Sequence, residues 1–524
     1  MTEQCQDNSK QPGQSRRDGE DLTGRDRLVT NVLCGWVAHS IFIAAGFIMP
    51  RMIDRQLGQE LLGIWDFAWS LVSYFRLVQM GINSSVNRYV AKCRALGDAT
   101  GFNQIVSSAF CILGAGGVLV LAATITISLL LPQLFGDRLG ENVRDAQWVV
   151  FFLGISMSVQ VAFSTFSSVL TGCHLWKLHD MIGSGWHVAM IAAMILALIL
   201  GGSLVSLAVI VSVALALAFM TRVIVAHSVC PGLRLRPSLV RWETAKGLIL
   251  FGGKTLVPSV SDMLLNQTVN ILIVMYLGPA MLALFARPRS LILHVHTLVR
   301  KLALTLTPTT SSLQSAGDME AIQALLVKSV RYSIYIALPM ILTLIVFGGP
   351  VLELWMGSRY ANGLLLAILA VGGFAYTAQM PVVTILMGMN SHGRFGMAHF
   401  VCSLCSVGLT ILIVGWLGRG LVGAAIAVTL PFTIMNVTYL PRLICQRVGL
   451  SLRQYLRSVT VKPAFHVLPF GVCLIVARGV FRTEPLMGLL CGGAVGGAIL
   501  AVLYWRHVLP RSAREKFQRR VKLA

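Results

Sequence analysis

The chain has 524 residues, of which 56% are hydrophobic and 12% are charged, with a mean hydropathy of +0.74 and a formal net charge of +22. Soluble domains are about 45–50% apolar and about 25% charged, so this composition excludes a soluble protein and predicts an all-α polytopic membrane protein. A soluble nucleic-acid-binding protein is excluded for the same reason, despite the basic charge.

In chain order, a polar segment of mixed charge, residues 1–27, comes first. It lacks a short apolar core followed by a small-residue cleavage site, so we predict a cytoplasmic tail rather than a signal peptide. Fourteen apolar runs follow, each about as long as a membrane-spanning helix. Their approximate ranges are 28–50, 60–80, 105–131, 147–170, 181–200, 204–226, 247–276, 281–305, 332–355, 363–388, 396–416, 420–441, 464–481 and 486–507.

The loops between these runs alternate in charge. With the N-terminus inside, most of the 43 Lys and Arg residues fall in inner loops and tails, as the positive-inside rule requires. Membrane orientation therefore explains the excess positive charge without nucleic acid, and both termini are predicted to be cytoplasmic.

Two parts of the chain resemble each other. Residues 57–71, LGQELLGIWDFAWSL, match 277–291, LGPAMLALFARPRSL, at an offset of 220, which also places Gly97-Asp98 on Gly317-Asp318. Such repeats predict two pseudo-symmetric six-helix lobes, and transporters built this way often bind substrate between the halves. The predicted division is 1–27 N-terminal tail, 28–227 N-lobe, 228–246 basic cytoplasmic linker, 247–446 C-lobe, 447–508 cytoplasmic loop and two extra helices, and 509–524 basic cytoplasmic tail.

The run 282–301, LALFARPRSLILHVHTLVRK, carries six basic side chains in the length of one membrane span. A charge at the bilayer centre costs roughly 2.5–3.5 kcal/mol even on insertion scales. At 100° per residue the bases share one half of the helix, and aliphatic residues cover the other. The helix could lie flat at the membrane surface or span with its basic face toward a wet cavity. Spanning is favoured, because otherwise every later basic loop would lie outside.

A cavity lined by Arg and His is suited to an anion, because guanidinium groups bind phosphate and carboxylate in a bidentate manner. Polar residues of other spans complete the predicted site, and Asp66 and Asp262 are candidates either for ion coupling or for charge balance, for example between Asp66 and Arg76. The predicted anion-binding residues are Arg287, Arg289, His294, His296, Arg300, Lys254 and Arg76, and the predicted polar lining is Asn31, His39, Ser73, Asn266 and Asn270.

The block 48–98 contains LG, then GIW, then SLVSYF, then GINSSVNRYVA. In these motifs the chain resembles the bacterial oligosaccharide and polysaccharide flippases, which form one superfamily with MATE exporters and lipid II flippases. The resemblance implies a MATE-like bundle of two lobes around a basic cavity, working by alternating access. It also implies transfer of an undecaprenyl-diphosphate-linked oligosaccharide across the bacterial inner membrane, for O-antigen, capsule or exopolysaccharide assembly.

In lipid II flippases, arginines of the first, second and eighth helices are important for function. Here the second helix offers Arg76 and the eighth offers Arg287 and Arg289, whereas the first offers only His39 and Asn31. The sequence motifs therefore match the family, but the first-helix arginine is missing.

Two other functions stay open. One is a MATE-type drug or metabolite exporter or a lipid II flippase, and the other is a membrane-embedded polysaccharide polymerase or ligase. The enzyme is disfavoured because no Walker A, HExxH or nucleophile-elbow motif occurs. No cofactor is expected, although transport could be coupled to a gradient of H⁺ or Na⁺. The expected partners are the lipid-linked oligosaccharide, membrane lipid and a polysaccharide polymerase or export machinery, and the internal repeat makes a monomer the expected state.

Overall fold

A computed structural model describes residues 28–230, 232–253, 256–508 and 514–515. Over these residues the chain forms fourteen long helices and no β-strand. The helices are α1 Leu28–Leu57, α2 Gln59–Leu96, α3 Ala99–Leu139, α4 Val143–Gly172, α5 Trp176–Ile199, α6 Leu204–Val229, α7 Trp242–Gly253 continued by Leu256–Met263, Leu264–Thr268 and Val269–Leu277, α8 Pro279–Leu304 extended by Leu306–Ser315, α9 Met319–Met356, α10 Gly363–Gly388, α11 Gly393–Trp416, α12 Gly420–Val448, α13 Leu452–Val480 and α14 Pro485–Val508.

Nearly all of these helices are apolar enough to cross a membrane. Within the described residues, twelve helical stretches meet the requirements of length and hydropathy, and one of them, Ala99–Gly172, contains both α3 and α4. The remaining helix is α8, whose basic residues lower its hydropathy. The all-α class and the prediction of about fourteen membrane helices are therefore confirmed.

The internal repeat is visible in the backbone. Gly58 before α2 and Gly278 before α8 have φ values of 96° and 89°, and Gly97 and Gly317 after them have φ values of 67° and 72°. Positive φ favours glycine, which has no Cβ, so the repeated glycines mark turns of the same shape in both halves.

The helices that follow these turns also begin in the same way. The side chain of Asp98 accepts a hydrogen bond from the Gly101 amide, and that of Asp318 accepts one from the Ala321 amide. Each Asp is an N-cap that satisfies a free amide of the first helical turn. The two halves thus use the same device to end one helix and start the next.

The second and eighth helices are longer than a membrane requires. The 38 residues of α2 span about 57 Å, against a hydrocarbon core of about 30 Å. Its second part, Leu77–Leu96, packs against α3, α4 and the first segment of α7, whereas the extension Leu306–Ser315 packs against α9 and α10. A smaller apolar cluster joins α13 and α14 to α9.

The lobes are joined at the end predicted to be extracytoplasmic. The side-chain amide of Gln59 donates to the carbonyl of Ala280 at 3.0 Å, and Gly63 lies so close to the backbone of Pro279 that a Cβ would overlap it. Nearby, the Tyr360 hydroxyl donates to Asp54 at 2.6 Å. These contacts close that end of the molecule between α1–α2 and α8–α10.

The same closure includes hydrogen bonds between α1 and the end of α9. The guanidinium of Arg51 donates to the carbonyls of Leu354 at 2.5 Å and Trp355 at 2.8 Å, and the Trp355 indole donates to the carbonyl of Phe47 at 2.8 Å. Arg51 therefore meets carbonyls near a helix C-terminus, where a cation is stabilised.

Candidate functional site

The basic helix α8 starts at a sharp turn and then runs between the two lobes. Gly278 supplies the positive φ of the turn, and Pro279 occupies the first helical position, where its missing amide hydrogen is not needed. Buried aliphatic residues such as Leu291, Val295 and Val299 anchor one side of α8 in the core. The bases of α8 divide between the two other sides.

One side of α8 faces a cavity within the C-lobe. The cavity has a volume of about 330 Å³ and is enclosed by α7, α8, α10 and α12. Arg289, His296 and Arg300 all line it, and they lie within about 40° of one another on the helix. The other polar groups of the lining come from Asp262, Asn266, Thr297, Tyr376, Thr377 and Thr429.

Arg289 is held by neutral groups. Its guanidinium donates to the side-chain oxygens of Asn266 at 2.8 Å and Asn270 at 3.4 Å, and to the carbonyl of Leu265 at 3.1 Å. These partners lie in or next to a π-helical turn, Leu264–Thr268, a geometry that is frequent at functional sites. Because none of these partners is an acid, Arg289 keeps its positive charge available to a ligand.

The side chains toward the C-terminal end of the same stripe make fewer hydrogen bonds. The His296 ring stacks on Tyr376 with 4.6 Å between centroids, and its Nδ1 lies 3.4 Å from the Thr377 hydroxyl. Arg300 is exposed and makes no hydrogen bond or ion pair within the described part of the chain. Its guanidinium is therefore available to bind an anion.

Asp262 is the single carboxylate in the cavity lining. Its side chain is 60% exposed and lies 3.9 Å from Nε2 of His399, which packs against Tyr376 and Phe432. With two guanidinium groups against one carboxylate, the cavity has a net positive charge. The arrangement favours an anionic ligand over a cationic one.

The other basic side of α8 faces the N-lobe. Arg287 forms a buried ion pair with Asp66 of α2, and Nε of Arg287 has no hydrogen-bond partner among the described residues. The His294 ring stacks on Phe47 of α1 at 5.2 Å. Arg287 and His294, both predicted to bind anion in one cavity with Arg289, therefore point elsewhere.

Lys301 continues this side, with its ammonium group 4.9 Å from the ring centre of Trp36 in α1. The predicted neutralisation of Asp66 by Arg76 is also not what the structure shows, since Asp66 pairs with Arg287. Ten helical residues separate Asp66 from Arg76, which corresponds to about 15 Å and is too far for an ion pair.

The remaining predicted residues are scattered. Arg76 lines a different cavity, within the N-lobe, and Ser73 does not line the C-lobe cavity. Asn270 contacts Arg289 from one side and donates to the Ser70 hydroxyl at 3.0 Å, so it links the lobes. Lys254 lies outside the residues that the structure describes. Asn31 and His39 belong to α1, but their side chains are not among those described.

Sequence reasoning missed four polar residues in or beside the C-lobe cavity: Tyr376, Thr377, Thr429 and His399. His399 is a histidine within a predicted span, and the rule that singled out His39 would also have found it. Tyr376 and Thr377 carried no such signal, because tyrosine and threonine are common in membrane helices.

Comparisons with known proteins agree on family and fold. A family model described as polysaccharide biosynthesis protein matches residues 55–364. The fold is similar to that of the lipid II flippase MurJ in an inward closed conformation, with a TM-score of 0.69, 13% identity, and coverage of 92% of this chain and 100% of that chain. It is also similar to an inward-facing multidrug resistance MATE family transporter of the MOP superfamily, with a TM-score of 0.66, 16% identity, and coverage of 78% and 95%. No curated protein sequence matches the chain.

Proposed function

We propose that this chain, which belongs to the polysaccharide biosynthesis protein family, is a multi-pass transporter of the MOP superfamily that moves an undecaprenyl-diphosphate-linked oligosaccharide across the bacterial inner membrane. The observation that carries the proposal is the C-lobe cavity, where Arg289 and Arg300 face a single carboxylate. The lipid-linked diphosphate would bind there, and the prenyl chain would stay in the bilayer. The surface polysaccharide that uses the cargo could be O-antigen, capsule or exopolysaccharide.

The spacing of the bases suits a diphosphate that moves along the helix. Arg289 and Arg300 are eleven residues apart, or about 16 Å along the axis, and His296 lies between them. Arg300 would meet the diphosphate first from the inner side, and Arg289 would receive it deeper in the membrane. Arg forks bind phosphate oxygens in pairs, which provides affinity without a metal ion or another cofactor.

Alternating access would require the outer contacts to open. The ion pair between Asp66 and Arg287 and the hydrogen bond from Gln59 to Ala280 connect the lobes on that side. We therefore assign Arg287 and Asp66 to closure of the outer gate rather than to the diphosphate site. Asp262, which is exposed in the cavity, is then the better candidate for coupling to H⁺ or Na⁺.

The orientation and partners belong to the same proposal. Both termini would be cytoplasmic, the chain would work as a monomer, and a polymerase or export machinery would consume the cargo on the outer side. A MATE-type exporter of cationic drugs is disfavoured because the cavity is net positive. A polymerase or ligase is disfavoured because the structural relatives are transporters.

The test is complementation of a deletion strain with the variant Arg289→Gln/Arg300→Gln. Outer-leaflet lipid-linked oligosaccharide is measured in intact cells with a membrane-impermeant lectin or glycosidase. We expect export to fall at least about tenfold, because each charged hydrogen bond to phosphate contributes about 1.5–3 kcal/mol. The matched control is Arg394→Gln, which removes one exposed charge from a surface groove outside the cavity.

Unchanged export in the double variant, with normal protein level, would contradict the proposal. A lipid II flippase is distinguished by the same strain. Loss of such a flippase stops cell-wall synthesis and growth, whereas loss of an oligosaccharide flippase removes surface polysaccharide.

A further inference from the structure

A second polar cavity lies inside the N-lobe. It has a volume of about 410 Å³ and lies between the inner part of α2 and helices α4, α5 and α6. Two guanidinium groups and a histidine face it together with amides and hydroxyls. The lining consists of Arg76, Gln79, Met80, Asn83, Gln160, Ser164, Ser167, His179, Phe219 and Arg222.

Two buried nitrogen atoms of this lining have no partner. Arg222 is only 9% exposed, and its Nε makes no hydrogen bond among the described residues, while its guanidinium lies 4.9 Å from the ring centre of Phe219. Nδ1 of His179 is likewise buried without a partner. Buried polar atoms are nearly always hydrogen-bonded, so two unpaired nitrogens in the wall of one cavity favour a polar ligand in that cavity.

The charge of the cavity indicates which ligand. Arg76 is exposed toward the opening and Arg222 lies deeper, and the lining contains no carboxylate. Asp180, which follows His179 in the sequence, interacts electrostatically with Arg222 and also with Lys301 of α8. The cavity therefore has a net positive charge, smaller than two full charges.

The neutral groups point to a sugar. Gln79, Asn83 and Gln160 offer side-chain amides that both donate and accept, and such groups pair with neighbouring hydroxyls of a sugar ring. The Ser164 hydroxyl already donates to Asn83 at 3.1 Å, which orients that amide. Two guanidinium groups beside three amides suit a ring that carries one carboxylate.

The repeat sets this cavity apart from the diphosphate site. The offset of 220 residues places Arg76 at the position of His296. A second match, of Leu170-Thr171-Gly172 with Leu386-Met387-Gly388, has an offset of 216 and places Gln160 at the position of Tyr376. The two cavities are thus counterparts in the two lobes, and one diphosphate can occupy only one of them.

We propose that the N-lobe cavity is a separate binding site for an acidic sugar residue of the cargo, with Arg222 and Arg76 binding its carboxylate and the amides of α2 and α4 binding its hydroxyls. This inference rests on the proposed function and narrows the substrate class to oligosaccharides that contain a uronic acid or a similar acidic sugar. The diphosphate stays at Arg289 and Arg300 in the C-lobe.

The experiment compares two trisaccharides of similar size on the purified full-length protein in detergent. Binding of trigalacturonate and of neutral maltotriose is measured by calorimetry for wild type, Arg222→Gln, Arg222→Lys and Arg76→Gln. We expect wild type to prefer trigalacturonate at least about tenfold, Arg222→Gln to lose that preference, and Arg222→Lys to keep part of it. Arg394→Gln, which removes the same charge elsewhere, should bind like wild type.

A second probe separates this inference from the proposed function. Arg300→Gln should bind farnesyl diphosphate more weakly than wild type, and Arg222→Gln should bind it equally well. Trigalacturonate should bind more weakly to Arg222→Gln and equally well to Arg300→Gln. If Arg222→Gln does not fold, Arg76→Gln decides, because Arg76 is exposed. The inference is overturned if wild type binds both trisaccharides equally, or if the folded variants Arg222→Gln and Arg76→Gln keep the full preference of wild type. Insensitivity of farnesyl diphosphate to Arg300→Gln would instead contradict the diphosphate site, whatever the trisaccharides show.

Discussion

The ion pair between Asp66 and Arg287 should hold the outer gate closed, and Arg287→Gln tests this directly. The two side chains are 18% and 7% exposed, so removing Arg287 leaves a mostly buried carboxylate without its partner. Breaking such a pair costs about 3–5 kcal/mol, and 1.4 kcal/mol corresponds to a tenfold change in an equilibrium. If the open gate exposes Asp66 to water, this cost falls on the closed state alone. The ratio of open to closed gate should then rise by about 100-fold or more.

The assay uses a single cysteine introduced at Ser73, in a background without the native cysteines. Ser73 is half-buried and lies about 10 Å inward of Asp66 along α2, so the closed gate should shield it from the outside. Intact cells are treated with a membrane-impermeant maleimide, and the labelling rate is measured. Arg287→Gln should label much faster, whereas the charge-matched control Arg394→Gln should label like the parent.

A charge swap completes the test. The double variant Asp66→Arg/Arg287→Asp restores opposite charges at the same two positions, so labelling should return toward that of the parent. The reasoning is refuted if Arg287→Gln folds and labels no faster than the parent. It is also refuted if the swap labels as fast as the single variant, because the effect would then not come from the pair.

Three further changes have defined outcomes. In Gly63→Ala the new Cβ would overlap the backbone of Pro279, and no side-chain rotation can relieve this overlap. The closed gate should lose about 1–3 kcal/mol of stability, which would be seen as faster labelling of a cysteine at position 73. Labelling at the rate of the parent would contradict this prediction. Asp262→Asn removes the carboxylate of the C-lobe cavity, so farnesyl diphosphate should bind more tightly; weaker binding would contradict its binding in the same cavity as Asp262. If Asp262 couples transport, the dependence of transport on the H⁺ or Na⁺ gradient should also disappear in this variant. Asp98→Ala and Asp318→Ala each remove an N-cap, and each should lower the free energy of unfolding by about 1 kcal/mol, measured by thermal unfolding. The two losses should be similar because the caps are equivalent. A loss in only one variant would show that the two caps do not stabilise the protein equally.

The sequence predicted much of the fold because the membrane imposes strong constraints on a chain. Backbone groups in lipid must be satisfied internally, so long apolar runs become helices, and their number can be counted. The match of Gly97-Asp98 with Gly317-Asp318 predicted two equivalent halves for a local reason, because a glycine at positive φ followed by an N-cap is a short-range signal.

The site was predictable only in part. Helical periodicity placed Arg289, His296 and Arg300 on one stripe, and these three residues do line one cavity. The same half-circle also contained Arg287 and His294, which face the N-lobe instead. Periodicity defines the angle of a side chain around its own helix, but it does not say which neighbour occupies that angle.

The sequence by itself therefore determined the helices, the repeat and the basic stripe, since each depends on residues close together along the chain. Only the tertiary structure decided that Asp66 pairs with Arg287, more than two hundred residues away, and not with Arg76 on the same helix. It likewise decided that Arg76 joins Arg222 in a second cavity. These pairings depend on how the two lobes meet and on how helices pack within each lobe, and no local pattern records that geometry.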